Sequence, residues 1–246
     1  RIIFESDVVI NVPVLKAHNQ TIASVSLKNL AVGVCADEEK QQKIHSIGLH
    51  RSLSKALLLE GSSLDRMIVA VSQVLPTHLV LVDGFYGMEG WGAPIKGKPV
   101  GAGLILAGTD RVAVDAVASL LMGMAPDAIP HIRLAAEAGI GTMSQEAIEV
   151  VGTSIEDAVT PFVSAVISES DLRALVPQNV NLICDNACYS CVSNFAYFVA
   201  EHQDVLRDLG PLTAILGRSD GVDSSGGRLL YYGNCAGTNM YGGGFA

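Results

Sequence analysis

The stretch HLVLVDG, residues 78–84, is the clearest strand in this chain of 246 residues. Its apolar run is short and ends in an acidic turn, which is typical of a buried strand. Similar runs recur at 6–14 (SDVVINVPV) and 101–108 (GAGLILAG), with helical patterns between them. We therefore predict an α/β fold: a mainly parallel sheet flanked by helices, with a C-terminal α/β region that carries the cysteine loops.

Helical patterns flank this strand on both sides. Residues 63–75 have the apolar spacing of an amphipathic helix, and Asp110 is placed to cap a helix over 111–122. The further elements that we predict are a helix from His131 to Glu137, a strand over 147–151, a connector over 153–175, strands at 181–183, 212–216 and 228–232, and a helix over 194–209. This organisation predicts one α/β domain over 1–152 and a cysteine-bearing α/β region over 177–246. That region is either a separate unit or a part of the same domain.

The composition excludes several classes of protein. With 49% hydrophobic and 17% charged residues the chain is globular, and despite a mean hydropathy of +0.38 it has no apolar run long enough to span a membrane. A net charge of −9 argues against a general nucleic-acid binder. We expect a cytoplasmic protein whose true N-terminus precedes Arg1; the sequence makes no prediction of its oligomeric state.

Polar residues cluster after predicted strands, where open α/β sheets bind ligands. They form a candidate catalytic cleft for a small anionic or metal-bound ligand: Lys16, His18, Lys28, Asp83, Glu89, Asp110 and Asp115. The lysines would supply positive charge, His18 a proton donor or metal ligand, and the carboxylates a general base or metal ligands. The alternative is solvated loops and a helix with one exposed lysine. Asp115, inside an otherwise apolar helix, must face water or a partner.

Cysteines define a second candidate site. Cys184, Cys188 and Cys191 fall in a C-x3-C-x2-C stretch, and Cys235 lies in a Gly-rich segment. Because both loops follow strands, they meet at one sheet edge if those strands are parallel and close. Four thiolates in this pattern favour a 4Fe–4S cluster.

Other interpretations of the cysteines stay open. Zinc is one alternative, although structural zinc sites more often combine two C-x2-C pairs. Buried inert or redox-active thiols are another, and a disulfide would leave one of the five cysteines unpaired. A radical-SAM cluster shares the spacing, but its motif comes early in a barrel and lacks a fourth cysteine. Cys35 stands alone and is expected to be a buried apolar residue.

Three linked runs of sequence resemble a known family. They are NVPVLKAHNQTIASVSLKNLAVGV, LVDGFYGMEGWGAPIKGKPV and AGTDRVAVDAVASLLMG. In this order they are similar to the family called domain of unknown function 362, over about residues 7–140. Ala93 departs from the family pattern, in which the glycine corresponding to Gly92 is followed directly by proline. The resemblance implies an association with iron–sulfur modules in anaerobic organisms and a family domain that begins before Arg1; it implies no settled activity.

Three functional hypotheses follow. The leading one is an iron–sulfur protein with a redox or electron-transfer role, a possible oxidoreductase, with a redox partner protein and a separate cleft for a small anionic ligand. The second is a metal- or cofactor-dependent enzyme acting on small organic acids, with structural cysteines; the segment at Lys16 and His18 is distantly similar to nickel-dependent lactate racemases. The third is a carrier or maturation protein that delivers a cluster or metal.

Overall fold

The computed structural model describes residues 1–35, 63–91, 93, 96–185, 187, 189–217 and 227–233. These residues divide into two compact units, one that ends at Ala165 and one that begins at Val166. The predicted ranges 1–152 and 177–246 left the residues between them unassigned. In the structure, residues 153–165 belong to the first unit and residues 166–176 to the second.

The first unit is built on a sheet around one long strand, β4 (Leu79–Glu89). Its other strands are β1 (Ile10–Asn11), β2 (Val14–His18), β3 (Ile22–Ser24), β5 (Lys98–Val100) and β6 (Leu104–Gly108). β4 pairs in parallel with β1 and β2 along one edge and antiparallel with β5 and β6 along the other, and β3 is antiparallel to β2. Val80 therefore lies between Asn11 and Gly108.

Strand β4 alternates between the core and the outer face of the sheet. Val80 and Val82 are fully buried, whereas Leu81 and Phe85 are exposed. This alternation shows that one face of the strand is covered, as in sheets with a single buried side. The predicted end of this strand in an acidic turn at Gly84 was wrong, because the strand continues to Glu89.

The predicted strand over 6–14 was also wrong in its bounds. Strand pairing covers Ile10–Asn11, stops, and resumes at Val14–His18. Pro13 lies in the gap and has no N–H to give to a strand ladder. Lys16 and His18 therefore belong to strand β2 rather than to a loop beyond the strand.

The first unit also contains helices, and some of them pack against its sheet. In the described part of the first unit they are α1 (Ile2–Glu5), α2 (Ser26–Gly33), α3 (Ser63–Val74), α4 (Arg111–Leu121), α5 (Pro130–Glu137) and α6 (Ile155–Ala158). α2 packs against α3 and α4, α3 against α5, and α4 against β4 and β6. The shared core includes Leu15, Leu27 and Ile68.

The second unit has a three-stranded sheet that is parallel throughout. Its strands are β7 (Val180–Asp185), β8 (Leu212–Gly217) and β9 (Arg228–Tyr232), in that order across the sheet. Its described helices are α7 (Glu169–Leu175), α8 (Tyr189–Glu201) and α9 (Gln203–Asp208). α8 packs against α7, α9 and β8.

The predicted fold class is confirmed. Four of the seven strand pairings in the described residues are parallel, and helices flank the strands. The helix at 63–74, the strand at 228–232 and the Asp110 cap, which accepts from the N–H groups of Val112 and Ala113, match their predictions. The predicted strand over 147–151 was wrong: this region has only a short 3-10 helix, Gln145–Ala147.

No helix in the part of the chain that the structure describes is both long enough and apolar enough to cross a membrane.

Candidate functional sites

Lys28 is the central cation of the first candidate site, and it is buried. Its side chain is only 4% exposed, so the alternative of a helix with an exposed lysine was wrong. Its Nζ donates to Thr21 Oγ1 over 3.2 Å. Burial lowers the pKa of Lys28 well below its ordinary value; the charge of Asp65 opposes this shift and that of Lys16 adds to it.

The turn that supplies Thr21 has an unusual backbone. Ile22 has a φ of 67°, and no other non-glycine residue in the described ranges has a positive φ. A β-branched residue is strained in this left-handed region, and such strain is concentrated at functional sites. His18, the last residue of strand β2 before this turn, is buried, and its Nδ1 accepts the N–H of Gln20 over 3.0 Å.

Asp115 holds the start of helix α2. The carboxylate is fully buried, and its two oxygens accept the N–H groups of Ser26 and Leu27 over 2.7 and 3.0 Å. The first N–H groups of a helix have no acceptor within the helix itself. Asp115, which belongs to a helix far along the chain, provides the acceptor for these two. Burial raises the pKa of Asp115 to about 6, although the charge of His131, these two hydrogen bonds and Arg111 act in the opposite direction.

Asp65 and His131 complete this polar cluster, and the sequence analysis missed both. They are 2% and 1% exposed, and His131 Nδ1 lies 3.2 Å from Asp65 Oδ1. The spacing of Asp65 carried a signal, because it shares a helix face with the buried Ile68 and Val69, three and four residues on. A carboxylate on the apolar face of a helix needs a buried partner.

The seven predicted cleft residues divide into two groups. Lys16, Lys28 and Asp115 belong to the buried cluster or act on it electrostatically, and His18 lies in the adjoining turn. Asp83, Glu89 and Asp110 instead hold nearby backbone: they accept the N–H groups of Phe85, Val163 and Thr142 over 3.0, 2.7 and 2.9 Å. In the described residues, no three His, Cys, Asp or Glu side chains come together in a way that could hold a metal ion.

The second candidate site lies at one edge of the parallel sheet of the second unit. Cys184 is the penultimate residue of β7 and pairs with Leu216 of β8, which pairs in turn with Tyr232 of β9. The carboxyl ends of the three strands are thus level. Cys191, 8% exposed, lies in the first turns of helix α8, which follows β7.

Close backbone approaches bring the ends of these strands together. Gly217 has a φ of +82°, and a side chain there would meet the carbonyl oxygen of Asp185. Gly233 has a φ of +91°, and a Cβ at that position would lie 2.7 Å from Cys191 Sγ. Only glycine fits both requirements. Tyr232 is also close to Cys191, since its pKa is raised by burial and by the charge of that thiol.

Two of the four predicted ligands, Cys188 and Cys235, lie outside the described residues. Cys184 is half-buried and Cys191 is buried. Cys35 belongs to the first unit, where its Sγ donates to the Ala31 carbonyl oxygen over 3.3 Å. It is half-buried rather than fully buried as predicted.

The fold and the first site define an α/β protein with an ionic cluster inside its core. Residues 1–119 match the family described as domain of unknown function (DUF362), which is the family that the sequence resembles. The chain is also 28% identical over 142 residues to the thylakoid-associated protein sll1697 of Synechocystis, a match that covers 58% of this chain and 40% of that protein. It thus spans well under half of this relative's length. No solved structure matches the chain.

Proposed function

We propose that the second unit binds a 4Fe–4S cluster through Cys184, Cys188, Cys191 and Cys235, and that the protein exchanges electrons with a redox partner protein. A bound cluster of this type accepts and releases single electrons. Ligation by four protein thiolates leaves no iron open to a substrate, which favours electron transfer over substrate activation. The proposed location is the cytoplasm, where thiols stay reduced and available as ligands.

The approach of Gly233 to Cys191 carries this proposal. Gly233 precedes Cys235 by two residues, and covalent geometry limits two residues of extended chain to about 7 Å. The Gly-rich segment therefore starts beside a thiol of the C-x3-C-x2-C stretch. The level ends of β7, β8 and β9 support the same grouping, because they bring Cys184 to the same edge of the sheet.

The chain also supplies an apolar surround next to Cys191. The ring of Tyr232 lies 5.0 Å from that of Phe195 and 6.0 Å from that of Phe198, measured between centroids. Rings in this position keep water away from a thiolate ligand. Limited solvent access is one of the properties by which proteins set the reduction potential of a cluster.

Metal analysis after anaerobic purification tests the cluster. We expect about four irons and four acid-labile sulfides per chain, with an EPR signal that appears or disappears on dithionite reduction. Replacing a ligand should remove most of the iron, so Cys188→Ser and Cys235→Ser are the test variants. Cys35→Ser is the matched control, because Cys35 belongs to the other unit and should leave the iron content unchanged.

Two results would contradict this proposal. One zinc and no sulfide per chain would make the cysteines a structural metal site. Full iron content in Cys235→Ser would remove that residue from the ligand set and separate the Gly-rich segment from the cluster.

We further propose that the first unit binds a small anion through Lys28, with Lys16 adding to the positive potential. The support is the burial of Lys28 next to a second lysine whose charge acts on it. A buried cation raises the affinity for an anion because the surrounding dielectric constant is low. Lysine is also rarely buried in a core unless it is paired with a polar or charged group.

Calorimetric titration with inorganic phosphate tests the anion site. Lys28→Met should weaken phosphate binding at least about tenfold, since it removes a hydrogen-bonding charge worth about 1.5–3 kcal/mol. Lys98→Met is the control, because Lys98 is exposed on strand β5 of the same unit. Equal binding by wild type and Lys28→Met would exclude Lys28 from an anion site.

A further inference from the structure

The outward side of strand β4 is apolar. Leu81 and Phe85 alternate with the fully buried Val80 and Val82, and both are exposed. A strand with one side in water normally carries polar residues on that side. Outward apolar residues on the central strand of the sheet therefore indicate a surface that another molecule covers.

The strands on either side of β4 continue this apolar surface. Asn11 of β1 is opposite the inward Val80, so the residues that precede and follow Asn11 belong to the outward side. On β6, Ile105 is opposite Asp83, an outward residue of β4. The result is one continuous surface, which we call the outer face. It consists of six side chains that are 38–76% exposed: Val8, Ile10, Val12, Leu81, Phe85 and Ile105.

Charge is scarce on the outer face. Among the outward positions of residues 8–12, 79–85 and 104–108, Asp83 is the one charged side chain, and it accepts the N–H of Phe85. The chain as a whole has a net charge of −9, so two copies repel each other when their charged surfaces meet. On the outer face this repulsion is weak, and few donors or acceptors there need a matching group on a partner.

The size of the outer face suits a dimer. Six apolar side chains with about half of their surface exposed offer on the order of 100 Å² each, or roughly 600 Å² together. A typical interface buries about 800 Å² on each partner, and in homodimers about two-thirds of it is apolar. The outer face thus supplies the apolar area that a stable dimer needs, and it is as large as the largest apolar patches that monomers expose.

We propose that the protein is a homodimer in which the outer faces of two copies pack against each other around a twofold axis. Twofold dimers are the commonest oligomers of soluble proteins, and they need a patch that is complementary to itself. A surface of mostly aliphatic side chains meets this condition because it has little polar pattern to align. Two sheets that pack face to face in this way form a sandwich about 10 Å thick.

Sedimentation velocity of the full chain tests the dimer. At micromolar concentration we expect a species with twice the chain mass of 25.8 kDa, which dissociates into single chains on dilution. Ile105→Lys and Val12→Lys should each raise the dissociation constant at least about a hundredfold, because each variant places two like charges in an apolar interface. In Ile105→Lys the new ammonium group lies opposite Asp83, which favours folding of the separate copy.

Val74→Lys is the matched control. Val74 is exposed at the end of helix α3. The buried Leu64 and Ile68 of this helix belong to the same core cluster as Val80 and Val82, on the inward side of the sheet. The control should therefore keep the dimer. Fluorescence of the single tryptophan, in the first unit, checks that each variant is folded, and Val12→Lys serves where Ile105→Lys does not fold.

Three results would overturn the proposal. The first is a wild-type chain that sediments with the mass of one copy at every concentration. The second is a dimer that both Ile105→Lys and Val12→Lys leave intact, since its interface would then lie elsewhere. The third is an equal loss of the dimer in Val74→Lys, which would show that the outer face has no special part in association.

Discussion

The two units place their polar residues in different ways. Of the buried polar or charged side chains in the described residues, all but Ser193 belong to the first unit. That unit places a lysine, two carboxylates and a histidine inside its core. The second unit keeps its described core apolar and places Cys184 and Cys191 near the end of its sheet, where glycines allow close backbone approach. The first site depends on long-range side-chain contacts, and the second on strand register and glycine.

The largest expected effect is the loss of stability when a buried charge is removed from the first unit. Asp115→Ala leaves the N–H groups of Ser26 and Leu27 without acceptors in the core, and we expect a loss of roughly 3–5 kcal/mol of unfolding free energy. Urea denaturation followed by Trp91 fluorescence measures it, since this single tryptophan lies in the first unit. Asp127→Ala, at an exposed position, is the control and should stay within about 0.5 kcal/mol of wild type. A small loss in Asp115→Ala would mean that buried charge does not organise this unit.

A backbone test addresses the second unit. Gly217 and Gly210 both have positive φ, of +82° and +72°, but only Gly217 is crowded by other chain atoms. Gly217→Ala should cost roughly 2–4 kcal/mol, from conformational strain and overpacking together. Gly210→Ala should cost about 1 kcal/mol, from strain alone. Hydrogen exchange of the strand β8 amides reports both, and equal effects would contradict the close approach at the sheet edge.

The stability of the first unit is also expected to depend on pH. The pKa of Asp115 is raised from 3.8 to about 6 in the folded protein, so the folded state binds this proton more tightly than the unfolded state. Its contribution to stability is therefore complete below pH 3.8 and is lost as the pH rises through about 6. The slope approaches about 1.4 kcal/mol per pH unit within this window.

The difference between wild type and Asp115→Asn isolates this titration, because the other carboxyl groups cancel. We expect the unfolding free energy of wild type, measured by urea denaturation with Trp91 fluorescence, to fall relative to the variant as the pH rises. A relative increase would show that the ionised form of Asp115 is the one that the core prefers.

Much of the fold could be predicted because local signals were strong. The Asp110 cap, the amphipathic helix at 63–74 and the strand at 228–232 each depend on a few neighbouring residues. The errors came where the bounds of an element depend on residues that are distant in the sequence. The strand at 79–89 continues past Gly84 because β2 and β5 pair with its far end, at Met88. Neither partner is visible from the sequence of the strand itself.

The two candidate sites also differed in how far they could be predicted, and for the same reason. The cysteine stretch is visible because cysteine is a rare residue and three cysteines lie close together in the sequence. Lys28 and Asp115 appeared as candidates, but Asp65 and His131 did not. The position of Asp65 on the apolar face of its helix is a local signal that a buried partner exists, but nothing in the sequence near it identifies that partner as His131. Their pairing arises only when α3 packs against α5, an event that no local pattern encodes. Asp83, Glu89 and Asp110 show the converse, because polar residues near strand ends can simply satisfy backbone N–H groups.

The position of β4 also has a consequence for how the chain folds during synthesis. Strand β1, which pairs with β4, lies far before it in the sequence. The hydrogen bond between Val9 and His78, just before these two strands, joins residues that are 69 positions apart. The other edge of β4 stays open until β5 and β6 have left the ribosome. Such non-local pairing folds slowly, and an open strand edge invites association with other chains. The interval between the emergence of Glu89 and that of Gly108 from the ribosome is thus when we expect the nascent first unit to be most open to association with other chains.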